Sequence, residues 1–165
     1  MTNIRKKIFD VNDLVPIISD LKNKNLRIVF TNGCFDLIHT GHTRYLAAAR
    51  GAGDKLIVAV NSDNSVRKIK GNKRPIIPLE ERMEVLSGFE FVDFVISFEE
   101  PDPYNVIKAI KPNVLIKGGD WPLDKIIGRD IVQGEGGEVF TIPVIPGRST
   151  SAIVERIISL HSVNE

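Results

Sequence analysis

The sequence predicts an α/β protein, a doubly wound parallel five-stranded sheet with helices on both faces. Three observations predict it. Five short apolar runs recur along the chain, helical patterns lie between them, and polar, glycine-rich segments follow the runs. In order, Val11 to Lys22 sets Val11, Leu14, Val15, Ile18 and Leu21 at helical spacing, an N-terminal helical extension (residues 1–25) expected to pack outside the sheet. Ile28–Thr31 is the first strand. Gly41 to Arg50 is a helix with Tyr45, Leu46, Ala48 and Ala49 on its apolar stripe, stopped by Gly51 and Gly53. Strands follow at Leu56–Val60, Phe91–Ile96, Val114–Lys117 and Val139–Ile142, and helices at Ser62–Ile69, Leu79–Gly88, Tyr104–Ile110 and from about Ser149 to Leu160. No internal repeat, low-complexity tract or linker divides the chain, so residues 1–165 read as one domain.

Composition narrows the function classes. A content of 42% hydrophobic and 26% charged residues is that of a globular domain and excludes a disordered chain. A net charge of +1 gives no reason to expect nucleic acid or an anionic membrane as partner. No segment approaches the roughly 20 apolar residues of a membrane span. The one cysteine, Cys34, cannot form an internal disulfide, and the N-terminus lacks the apolar run of a signal peptide, so the expected compartment is the reducing cytoplasm.

The most informative segment is Thr31-Asn32-Gly33-Cys34-Phe35-Asp36-Leu37-Ile38-His39-Thr40-Gly41-His42, between the first strand and its helix. The first N–H groups of a helix lack partners within it, and its dipole favours anions there. Gly41 removes a side chain where a phosphate would approach, and Gly33 allows a tight turn or a positive φ. His39 and His42 flank Gly41, so both imidazoles can donate to one phosphate and stabilise charge developing on phosphorus. One of them capping the helix is the plain alternative. No cysteine or carboxylate stands in tight spacing with the pair, and Asp36 alone is a poor third ligand, so no protein metal site is expected. Cys34 invites a reading as nucleophile, but its place after a glycine at a strand end favours packing.

The sheet is Rossmann-like, and such sheets bind ligands at the carboxyl ends of their strands. There the chain places Asn61-Ser62-Asp63, Lys117-Gly118-Gly119-Asp120-Trp121 and Gly147-Arg148-Ser149-Thr150-Ser151. The last of these opens a helix and offers hydroxyls and free N–H groups, either as a simple cap or as a second phosphate cradle. Arg67 to Arg74 holds five basic residues in eight positions and reads as a mobile loop, with a lysine able to close over a triphosphate. Arg82 either reinforces that site or pairs with Glu81 or Glu84 on the surface. No G-x-x-x-x-G-K-[ST] loop is present and no G-x-G-x-x-G opens the first unit, which argues against P-loop and dinucleotide enzymes.

With these motifs in this order, the chain from Arg27 to Ile158 resembles the cytidylyltransferase-like nucleotidyltransferases. Within that family, Phe30 to Asp36, Val58 to Asp63, Arg74-Pro75, Val95 to Glu100 and Ile116 to Trp121 are similar to the adenylyltransferases that make ADP-heptose from D-glycero-D-manno-heptose 1-phosphate. The resemblance implies an in-line attack of the sugar phosphate on the α-phosphorus of ATP, with Mg²⁺ held mainly through the ATP phosphates and no covalent enzyme intermediate. It implies catalytic roles for His39, His42 and Lys70, with Lys68 and Lys73 close to Lys70. It puts Thr31, Asn32, Gly33, Phe35, Gly41, Asn61, Asp63, Arg82, Lys117, Gly119, Ser149, Thr150 and Ser151 around the nucleotide, and Asp36, Asp120 and Trp121 at the sugar phosphate. It also implies a homodimer or larger homo-oligomer, and a stand-alone form whose sugar kinase is another polypeptide. Where some relatives carry a basic residue three positions past the Ser-Thr-Ser turn, this chain has Val154, leaving Arg148 or Arg156 to supply the charge. A cytidylyltransferase acting on glycerol 3-phosphate or a related small phosphate shares the whole phosphate machinery, and a nucleotide-binding regulator without turnover is the alternative of another class.

Overall fold

The computed structural model describes residues 4–119, 121–143, 145 and 147–161. Five parallel strands, β1 (Ile28–Gly33), β2 (Lys55–Asn61), β3 (Phe94–Phe98), β4 (Val114–Gly118) and β5 (Glu138–Ile142), form one sheet in the order β3-β2-β1-β4-β5. Seven α-helices among the described residues connect and cover them: α1 (Val11–Asn23), α2 (Thr40–Arg50), α3 (Asp63–Lys70), α4 (Leu79–Ser87), α5 (Tyr104–Ile110), α6 (Arg129–Gly134) and α7 (Thr150–His161).

Strand side chains alternate between faces, and each face is a separate core. Ile28, Phe30, Ile57, Ala59, Ile96 and Leu115 pack with Leu14 and Ile18 of α1, the apolar side of α5 and Val132 of α6. Val29, Leu56, Val58, Val60, Val114 and Ile116 pack with Leu46 and Ala49 of α2 and with Met83 and Leu86 of α4. The α1 helix, expected outside the sheet, therefore covers it, with Leu14 and Ile18 no more than 1% exposed. On α2 the stripe is narrower than expected, since Ala48 faces solvent.

Most boundaries fall within a residue or two of expectation, and the main differences are at β3, at the end of α3 and in three short elements. β3 starts at Phe94 rather than Phe91, because the Asp93 carboxylate takes the Leu56 N–H at 2.9 Å and pairs with Arg50 and Lys55, anchoring the turn that precedes the strand. Arg67 to Ile69, expected both at the end of a helix and in a mobile loop, form with Lys70 the last turn of α3, which Gly71 ends at φ +90°. The six-residue α6 and the 3₁₀ turns Ile4–Lys7 and Leu123–Lys125 are too short to show a hydrophobic period. Strand order reverses at β1, between β2 and β4, and the loops after β1, β4 and β5 meet at that switch point.

Candidate active site

The loop after β1 delivers both histidines to the start of α2. His39 is the N-cap, with its Nδ1 accepting the Gly41 N–H at 3.1 Å, while the His39 N–H reaches His42 Nδ1 at 3.4 Å. The ring centroids are 4.0 Å apart. Capping and phosphate binding are thus not alternatives: with each Nδ1 accepting, the proton of each neutral ring sits on Nε2, leaving a donor for a ligand. Burial, and then His39, push the His42 pKa down to about 4. His39 is lowered as well, first by burial and then by the Arg148 guanidinium. At neutral pH both rings are uncharged donors.

Both glycines leave room for a neighbouring ring. A Cβ on Gly41 would lie 2.8 Å from the His39 ring, so this glycine, which lines the cavity, also makes room for the histidine. A Cβ on Gly33 would meet the Phe35 ring at 3.0 Å, and the positive φ expected there falls on Phe35 instead, at 46°. Phe35 in turn packs its ring at a tilt against His42, with centroids 5.4 Å apart.

Facing α2 is the start of α7. Ser149 Oγ accepts the Ala152 N–H at 3.1 Å, and the Thr150 hydroxyl reaches back to the Leu37 carbonyl at 3.5 Å, tying this helix start to the β1 loop. A cavity of about 290 Å³ between the two helix starts is lined by His39, Gly41, His42, Arg148, Ser149 and Thr150. It continues past His42, Ser151 and Lys70 to Arg74 and Asp36. All three candidate lysines are exposed, and of them Lys70 lines this extension while Lys68 and Lys73 do not. Arg148 and Arg156 both line the mouth outside His39, so the charge sought near Val154 comes from either side of it.

Beyond the switch point, a second cavity of about 250 Å³ shares Asn32, Gly33, Cys34 and Lys117 with the first, making one continuous cleft. Its walls are mostly apolar, with Ile69, Pro101, Leu115, Ile126 and the half-exposed Trp121, and Asn61 and Asp102 add polar atoms. Lys117 Nζ donates to Asn32 Oδ1 at 2.9 Å, and burial lowers its pKa. Gly119, at φ +102°, donates to the Ile142 carbonyl and turns the chain from β4 towards Trp121. Asp120 lies outside the described residues. Burial pushes the Cys34 thiol pKa up in spite of Lys70, Arg82 and Lys117, keeping it a protonated packing group.

Four of the expected ligand residues have partners within the protein. Thr31 is fully buried, its hydroxyl bonded to Tyr45 OH, which donates to the Ile116 carbonyl at 3.2 Å; the pair joins α2, β1 and β4 under the cleft. Asp36, expected at the sugar, bonds Arg74 Nη1 at 2.8 Å and the N–H groups of Ile76 and Ile77 at 2.8 and 2.9 Å, so it clasps the segment before α4. Arg82 is neither a nucleotide ligand nor a surface partner of Glu81 or Glu84. Its buried guanidinium donates to the carbonyls of Ile77, Cys34 and Asn61 and to Asp63 Oδ1, which commits Asp63 too. These bonds tie the ends of β1 and β2 to the start of α4.

Residues missed in the sequence are Tyr45 as a hydrogen-bonding group, Arg74 as the partner of Asp36, Ile145, and the Pro101–Pro103 and 125–127 walls. Arg74 lay within the basic run; the others carried no local signal. Among the described residues, no three His, Cys, Asp or Glu side chains converge to hold a metal ion, and no helix is long and apolar enough to cross a membrane.

On this Rossmann-like sheet, paired histidines at one helix start, a second helix start opposite and Lys117 between them give a cleft whose chemistry suits phosphates. The chain belongs to the cytidylyltransferase-like family of nucleotidyltransferase enzymes, whose profile matches residues 30–156. It is 44% identical over 155 residues to the bifunctional protein HldE of Geobacter sulfurreducens and 50% identical over 150 residues to that of Pseudomonas syringae pv. syringae. These matches cover 94% and 91% of this chain but 32% of each relative, so the chain spans about a third of the length of the curated relatives it matches. A lipopolysaccharide core biosynthesis protein from Thermoplasma volcanium superposes with a TM-score of 0.59 at 27% identity, covering 73% of this chain and 97% of that one. Pantoate-beta-alanine ligase from Francisella tularensis, solved with beta-gamma ATP and beta-alanine, gives 0.61 at 17% identity over 87% of this chain and 68% of its own, a likeness of fold alone.

Proposed function

We propose that the chain transfers AMP from ATP to D-glycero-D-manno-heptose 1-phosphate, giving ADP-heptose and pyrophosphate. The observation that carries the reaction type is the histidine pair: two neutral rings, each with Nδ1 committed as acceptor, turn Nε2–H donors to the space between two helix starts. Such rings are poor general bases, and this reaction needs none, because the nucleophile is an already ionised phosphate oxygen. That oxygen forms the new bond to the α-phosphorus while the bond to the bridging oxygen breaks, and pyrophosphate keeps the electron pair. Donors fixed before the reaction stabilise the charge that gathers on the α-phosphate. Lys70 and the start of α7 offset charge on the departing pyrophosphate.

The adenine and heptose assignments rest on the segment resemblances and on the HldE relatives. The apolar cavity with Trp121, Asn61 and Asp102 suits the sugar, whose hydroxyls need polar partners and whose ring faces are apolar. Mg²⁺ would be held by the triphosphate oxygens, since Asp36 is turned to Arg74, and when bound it supplies neutralisation of phosphate charge. We place the reaction in the cytoplasm, where ATP is available, downstream of a sugar kinase that supplies the 1-phosphate.

The test is pyrophosphate release with Mg²⁺, pairing ATP or CTP with each anomer of the heptose 1-phosphate or with glycerol 3-phosphate. Release with ATP and one heptose anomer is expected, and His39→Ala should cut kcat by about 10²–10³ while the fold survives. Release only with CTP and glycerol 3-phosphate would overturn the substrates. ATP binding without release from any pair would mark a non-catalytic regulator.

A further inference from the structure

We infer that Lys117 holds the phosphate of the attacking sugar phosphate against the nucleotide, making this ammonium the group that demands a phosphorylated acceptor. The inference rests on the reading above that the cleft joins a nucleotide to a sugar phosphate. The histidine pair and the start of α7 line the first cavity, whereas Trp121, Asn61 and Asp102 line the second. Transfer between them brings two anions together, the acceptor phosphate and the α-phosphate, at the wall the cavities share. Their repulsion must be offset there by a cation at that wall that pairs with the incoming acceptor phosphate.

Among the described residues lining either cavity, Lys117 is the one Lys or Arg that lines both. Arg148 belongs to the first alone and the exposed Lys125 to the second alone. Asn32 aims the ammonium from the end of β1, accepting from Nζ at 2.9 Å and leaving two N–H donors for ligands. The amine is half-buried, and burial alone disfavours its charge. A phosphate monoester beside it restores that charge, so the pocket favours an anionic end group over a hydroxyl at this point. Apolar Leu115 and Ile126 behind the ammonium keep the interaction out of bulk water.

The experiment compares wild type, Lys117→Met and Lys117→Arg, with unfolding midpoints confirming that each folds. Met fills a similar volume and needs no partner. Initial rates are measured against acceptor at saturating ATP and against ATP at saturating acceptor, using whichever acceptor the wild type turns over. Each protein is also loaded with α,β-methylene ATP and titrated calorimetrically with the heptose 1-phosphate. Lys117→Met should raise acceptor KM and Kd about 10–100-fold, the range for one charge-assisted hydrogen bond, with ATP KM changed less than about threefold. Lys117→Arg should recover most of the acceptor affinity. An equal rise in both KM values, a rise for ATP alone, or no change would overturn the inference. Turnover of glycerol 3-phosphate but not heptose 1-phosphate would defeat the substrate assignment, and Lys117 would then be judged on glycerol 3-phosphate by the same split. If no acceptor is turned over, the titration decides: weaker binding in Lys117→Met sustains the inference, and unchanged or absent wild-type binding ends it.

Discussion

Replacing Arg82 with Met should lower stability far more than ATP affinity. The guanidinium side chain has 0% exposure and makes four bonds, to three backbone carbonyls from separate segments and to Asp63 at 2.7 Å. Removing it strands buried acceptors, at about 1–3 kcal/mol each before water or rearrangement relieves them. Breaking a buried pair by deleting one member costs about 3–5 kcal/mol. Asp63 is 32% exposed and can be rehydrated, so these overlapping costs amount to about 4 kcal/mol rather than their sum. For a domain of this size that is a fall in Tm of about 8–16 °C, or about 2 M in urea midpoint at a slope near 2 kcal/mol/M. Urea unfolding followed by circular dichroism, with ATP binding measured below the transition, reads both consequences. A Tm within about 3 °C of wild type would refute the reasoning, and a large loss of ATP affinity in a fully stable variant would make Arg82 the nucleotide ligand that the sequence suggested.

Two further perturbations separate positioning from folding. Gly41→Ala pushes a Cβ to 2.8 Å from the His39 ring, so the imidazole must turn away. The lost cap, about 1 kcal/mol, is nearly offset by the helix preference of alanine, so kcat should fall about 10–100-fold with Tm almost unchanged, and an unaffected kcat would show that the His39 position does not matter. His42 stays neutral in the folded protein down to about pH 4, against its ordinary value of 6.5 in the unfolded chain. Between those values the unfolded state binds the extra proton, so the stability His42 contributes is present above pH 6.5 and is lost as the pH falls through the window. Urea unfolding from pH 7 down to 4.5 should show a shallower decline in His42→Asn, and identical slopes in the two proteins would contradict the depressed value.

Local rules settled most of the architecture. Continuous apolar runs on strands such as Ile28–Phe30 and Leu56–Val60, buried on both faces, and period-3.6 burial on Leu14–Ile18 are properties of short stretches, and the resulting alternation of strand and helix leaves few topologies. The histidine pair was legible because its geometry is local: a spacing of three residues at a helix start sets both rings side by side on one cavity. Lys70 was legible as one of three candidates, because charge density shows in sequence but the end of α3, which aims it, depends on Gly71. The roles of Thr31, Asp36, Asp63 and Arg82 could not be read this way. Most of their partners lie 14 to 48 residues away, at Tyr45, Arg74, Ile76, Ile77, Cys34 and each other.

The sequence by itself determined the fold class, the two helix starts that face each other across the cleft, and the residue types gathered at the carboxyl edge of the sheet. Tertiary structure decided which of those polar side chains face the cleft and which brace it from behind. The reason is that a buried hydrogen-bonding group must find a partner. Whether Asp36 is satisfied by Arg74 and backbone or left for a ligand depends on what the fold brings within about 3 Å, not on its neighbours in the chain.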